Sequence, residues 1–141
     1  MMGPISSRIS ALRFAAFLAG CCLFATASRA ADIYPGLPKT GDTAPADSNN
    51  KIAVAFNLEP GWIPSSVVLT SADGTITYGQ LTGSSNFYVY GLPNGMNRAE
   101  CLLPCGPSNL SNVTLTINAY KTAFPFPLTT SVAVTGITVQ H

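Results

Sequence analysis

Charge is scarce in this chain: Asp, Glu, Lys and Arg together make up 9% of its 141 residues. Arg8, Arg13 and Arg29 fall in the first thirty residues. Beyond them Lys39, Lys51, Arg98 and Lys121 stand against six acids, a formal charge of −2. Without a basic patch there is no electrostatic footprint for a polyanion, which excludes nucleic acid as a partner. Histidine is scarcer still. The only imidazole, His141, is the last residue, a poor place for a base that a third group must hold, and too little for a histidine-based metal site. Long apolar runs are also missing. After residue 30 no stretch reaches the 18 residues that a spanning helix needs, so no membrane span is expected in the mature chain.

What is present begins with an export leader. Residues 1–13 hold two arginines and no acid, and residues 14–27 are apolar apart from Gly20 and Thr26. Ser28 and Ala30 fit the −3 and −1 positions of a signal-peptidase site, so residues 1–30 read as a signal peptide cleaved after Ala30. Cleavage after Ala27 and an uncleaved anchor are the alternatives. A further one is the bacterial lipoprotein box, which Leu18-Ala19-Gly20-Cys21 resembles and which would acylate Cys21. Each variant sends the domain out of the cytoplasm, to the cell envelope, the periplasm or the medium. Cys101 and Cys105 are the cysteines left after the leader, and in an oxidising compartment a disulfide between them is expected.

The remaining residues, about 111, suit one domain. Residues 31–50 are rich in Pro, Gly, Asp, Ser and Asn, and read as a flexible linker that cannot bury enough apolar surface to offset its ordering entropy. Residues 51–141 carry period-two runs between turn residues. Ile52, Val54, Phe56 and Leu58 share one strand face. Val67-Val68-Leu69 and Thr75-Ile76-Thr77-Tyr78 flank Asp73-Gly74, a strong hairpin dipeptide. Phe87-Tyr88-Val89-Tyr90 makes a further strand. Val113 to Ala119 alternates without a break, one face buried and one wet. In the last run the apolar phase slips by one residue between Val134 and Ile137, which predicts a β-bulge at Gly136. The segment 98–109 reads as a loop stapled by Cys101 and Cys105, presenting Leu102, Leu103 and Pro104 outward.

The stretches Val67 to Thr75, Gly83 to Tyr90 and Gly91-Leu92-Pro93-Asn94-Gly95 resemble the carboxypeptidase-regulatory-like and Cna-B-type domains. Their order of valine-rich strand, Asp-Gly turn, Gly-x-Phe strand and Leu-Pro-x-Gly turn recurs here, and 113–121 supplies a following alternating strand. Met96-Asn97 and the cysteine segment depart from that pattern. The resemblance implies a non-catalytic spacer, adhesin or carbohydrate-binding-like module. The expected fold class is all-β, a single small antiparallel β-sandwich of prealbumin-like or Ig-like kind, over residues 51–141.

No side-chain set suggests catalysis. Glu59, Asp73 and Glu100 sit beside turn signals, as turn or solvent residues do. No cluster of Asp and Asn suits calcium, and no cofactor is implied. The chain does not read as an enzyme. Asn109-Leu110-Ser111 and Asn112-Val113-Thr114 fit the glycosylation pattern, which has no meaning behind a leader of bacterial type. Aromatic side chains are the functional signal: Trp62, in a loop between Gly61 and Pro64, and Tyr88 and Tyr90, on one strand face, form the candidate ligand-binding set. Two functions follow. One is adhesion or ligand binding at the envelope, with carbohydrate or another envelope protein as partner. The other is self-association into a filament or surface layer, with residues 31–50 as an exchanged strand.

Overall fold

The computed structural model describes residues 31–141; the leader, with Cys21 and its cleavage sites, lies outside them. The described chain is strand and turn, with one short 3-10 turn at Ser84–Asn86. Nine strands, β1 (Ile33–Leu37), β2 (Thr43–Pro45), β3 (Lys51–Leu58), β4 (Ile63–Ser71), β5 (Thr77–Thr82), β6 (Tyr88–Gly91), β7 (Asn97–Pro104), β8 (Leu110–Lys121) and β9 (Leu128–Gln140), form two sheets. The four-stranded sheet runs β1-β3-β7-β6 and the five-stranded one β2-β9-β8-β4-β5. Every pairing is antiparallel except β2 with β9.

This is an all-β sandwich, and its strand order is of the immunoglobulin kind. The first sheet takes the places of strands A, B, E and D, and β9-β8-β4 those of G, F and C. Strand β2 is added at the free edge of β9, and β5 at that of β4.

Alternation builds the core. Ile52, Val54, Phe56 and Leu58 of β3 all point inward, as their period predicts. They meet Val113, Leu115, Ile117 and Ala119 of β8 and Val67 and Leu69 of β4 in one buried cluster. Phe56 and Phe87 pack edge-to-face with ring centroids 6.1 Å apart, the geometry the ring quadrupole favours.

The phase slip in β9 is resolved at Gly136. Val134 pairs with Leu115 while Ile137 pairs with Val113, so β9 carries one extra residue there. Gly136 has φ 68, in the left-handed region that glycine enters without a Cβ penalty. The bulge keeps Val134, Ile137 and Val139 all in the core. Next to the bulge, the amide of Gly41, in the turn before β2, donates to the Thr135 carbonyl at 3.1 Å. The Asp73-Gly74 turn forms as its dipeptide predicts. Asp73 Oδ1 accepts from the Ser71 hydroxyl, the Thr75 amide and the Thr75 hydroxyl. Those bonds, that of Ser71 first, pull its carboxyl down to about 2.

Two expectations are corrected. Residues 31–50 are not a linker, because they supply β1 to one sheet and β2 to the other. The segment buries little by itself, but it lies on edges that the rest of the chain has built. Ile33 is buried opposite Leu58, and Ala44 beside Val139. Proline is tolerated on edge strands, and Pro35 and Pro45 both occupy them. The exchanged-strand reading therefore starts from a segment already paired within its own sandwich.

The second correction concerns 98–109, whose first half is strand β7, paired with β3 along its whole length and with β6. Ala99 and Leu103 point into the core, while Arg98, Glu100 and Leu102 alternate with them on the other face. Leu103 is thus buried rather than presented to solvent. Four residues of extended chain span about 13 Å, whereas a disulfide needs Cα atoms about 4.4–6.8 Å apart. Cys101 and Cys105 are accordingly free thiols, and the expected staple is absent.

Candidate functional site

The outer face of the four-stranded sheet is shaped by small residues at its centre. On β3 the outward positions are Lys51, Ala53, Ala55 and Asn57, and both alanines lie low between taller neighbours. Leu37 on β1 pairs with Ala55 from one side, and Leu102 on β7 pairs with Ala53 from the other. Tyr88 on β6 pairs with Glu100. The result is a shallow trough of about 410 Å³, walled by Leu37, Leu102 and Tyr88 and floored by Ala53 and Ala55.

One side of the trough is polar and tightly bonded. Glu100 Oε2 accepts from Arg98 Nε and from the Tyr90 hydroxyl, both at 3.0 Å. Arg98 Nη1 also donates to Asn57 Oδ1 at 3.3 Å, which ties β7 to β3. The Arg98 bond first, and the Tyr90 bond second, hold the Glu100 carboxyl below its ordinary range. The same carboxylate pushes the Tyr90 phenol up. The corner therefore stays a fixed arrangement of cation, anion and hydroxyl at neutral pH. A carboxylate has about four acceptor sites, and both bonds here end on Oε2, so Glu100 has capacity left for a ligand.

The two tyrosines proposed from the sequence both belong here. Tyr88 is 68% exposed, and its ring centroid is 5.3 Å from that of Tyr90, the planes tilted by 43°. Tyr90 is anchored by its hydroxyl, while Tyr88 offers an open ring face beside the trough. Trp62 is a correction. It precedes β4, is 7% exposed, and joins the core cluster, with the Lys121 ammonium 5.9 Å above its ring. A loop position next to Gly61 suggested contact with a ligand. Yet the loop is a short turn, closed by the Trp62 amide donating to Glu59 O, which folds the indole into the end of the core.

The sequence reading put Leu102 outward, as it is, but gave Leu37, Arg98 and Glu100 no place in a site. The signal for the β7 side chains is the alternation of Arg98, Glu100 and Leu102 against Ala99, Cys101 and Leu103. The cysteine spacing hid it by suggesting a loop. Cys101 lies beneath the trough, half-buried, with burial pushing its thiol up to about 12. The Cys105 thiol is buried and donates to the Asn50 carbonyl at 3.2 Å. Both behave as small apolar side chains and not as nucleophiles. His141 sits away from this face, with its ring Nε2 2.8 Å from Gly106 O and its amide donating to Asn109 Oδ1. Among the described residues no three His, Cys, Asp or Glu side chains converge as a metal site.

No family model matches the chain, and neither a curated protein nor a solved structure matches it.

Proposed function

We propose that this is an exported, non-catalytic binding module that takes a carbohydrate in the trough of its four-stranded sheet, for adhesion at the cell envelope. The carrying observation is the pairing of an open aromatic face, Tyr88, with the bonded Arg98–Glu100–Tyr90 corner. A pyranose has apolar C–H faces and an equatorial rim of hydroxyls. Its faces suit an aromatic ring, and its hydroxyls suit a carboxylate and a guanidinium held in place beforehand. Small-molecule sites commonly combine apolar walls with a few fixed polar groups in this way, and bonds to charged partners are the stronger ones. The export leader expected from the sequence agrees with this reading.

Isothermal titration against a panel of neutral hexose and N-acetylhexosamine oligosaccharides tests it. At least one of them should bind, and Tyr88→Ala should weaken that binding about tenfold, the loss of one ring contact. The melting temperature should not move, because Tyr88 lies outside the core. Absence of binding across the panel, or equal affinity in the variant, would reject the reading.

A further inference from the structure

The loop between β8 and β9 is the most apolar exposed feature among the described residues. Phe124 is 98% exposed and Phe126 74%, and Leu128 beside them is half-exposed. No Asp, Glu, Lys or Arg occurs from residue 122 to residue 140. Pro125 and Pro127 have no N–H, so the tip cannot extend a sheet and has fewer backbone donors to desolvate. A convex tip with projecting rings and little polar backbone is costly in water and suited to an interface of lipid headgroups and acyl chains.

Its place in the fold says what it meets. Lys121 pairs with Leu128 at the base of the loop, and Tyr120 pairs with Ile63. The Lys121 ammonium lies over Trp62, whose turn begins at Glu59, and the Glu59 amide donates to the Asp32 carbonyl at 3.1 Å. The chain therefore enters the sandwich at the pole from which the phenylalanines project. The sequence before Asp32 holds the apolar run 14–27 and the lipoprotein-like box ending at Cys21. A leader that stays in the membrane, by either route, brings this pole to the lipid. A single acyl chain gives only marginal binding, and stable anchoring needs a second signal.

We propose that this pole docks on a lipid bilayer, with Phe124 and Phe126 inserted at the headgroup boundary, as the second signal beside a retained leader and as the membrane contact of the chain once residues 1–30 are cleaved. The inference is independent of the trough, which lies on a sheet face and stays open when the pole is docked.

The test uses the exported full chain carrying Phe126→Trp, with vesicles of phosphatidylethanolamine and phosphatidylglycerol. The emission of the wild-type protein, which comes from Trp62, is subtracted. The reporter should shift to the blue on adding vesicles and be quenched by brominated acyl chains. Adding Phe124→Ser should weaken both effects about tenfold, the worth of one buried ring. The loop is exposed, so neither change should alter the melting temperature. An emission that vesicles leave unchanged overturns the proposal. So does a blue shift present without lipid and lost on dilution, which would assign the loop to a second copy of the chain.

Discussion

An ideal Cβ built on Gly79 would lie 1.7 Å from the carbonyl oxygen of Pro104. That glycine is required by space and not by dihedral angle. Strand β5, at the edge of one sheet, here crosses against the end of β7 in the other, and the two backbones touch. Gly79→Ala must therefore push the sheets apart at this corner. We expect it to destabilise the domain by about 1–3 kcal/mol, the usual cost of overpacking, read as a lower urea midpoint at unchanged slope. A variant as stable as the wild type would mean that the corner is loose. The sequence offers no sign of this constraint, which arises between residues far apart in the chain. Gly136 differs, because the phase slip around it is local and predicts its bulge. Trp62 shows the opposite error: a neighbouring glycine and proline suggested exposure, whereas the turn folds the indole inward.

At the scale of the strand, legibility followed the clarity of the alternation. Strands β3 and β8 sit inside their sheets with one face in the core, and their alternation is plain. Strand β7 is equally central, yet Arg98, Glu100 and a cysteine pair masked its period, and with it half of the trough's lining. Edge strands β1 and β2 were missed because edges tolerate the prolines and glycines that mark linkers. The β7 geometry makes a checkable statement about its thiols. In the native protein Cys101 and Cys105 should resist a thiol-alkylating reagent at mildly alkaline pH, because burial holds both protonated. Once the chain is unfolded without reductant, both should label fully by peptide mapping. A pair that stays unlabelled after unfolding would mean that the disulfide forms after all.

For the whole molecule, the N-terminal residues 32–46 matter more than their composition suggests. They give an edge strand to each sheet and cover Leu58 and Val139. Deleting them removes the buried Ile33 and Ala44 and uncovers apolar partners, at a cost of about 3 kcal/mol or more. That is a large share of the roughly 5–15 kcal/mol that holds a domain of this size. The truncated protein should melt far lower and aggregate on gel filtration; a soluble monomer with an unchanged midpoint would show these strands to be ornamental.

The parallel pairing of β2 with β9 also bears on load. The chain enters near Asp32 at one pole, and β9 finishes at the opposite pole, where Gln140 meets Ala46. Tension applied through the two ends would slide β2 and β9 past each other lengthwise. All of their hydrogen bonds would be strained together instead of unzipping one by one. A sandwich wired in this way should therefore resist a pull along this axis more than a pull that peels one edge strand away, a difference that single-molecule stretching would read.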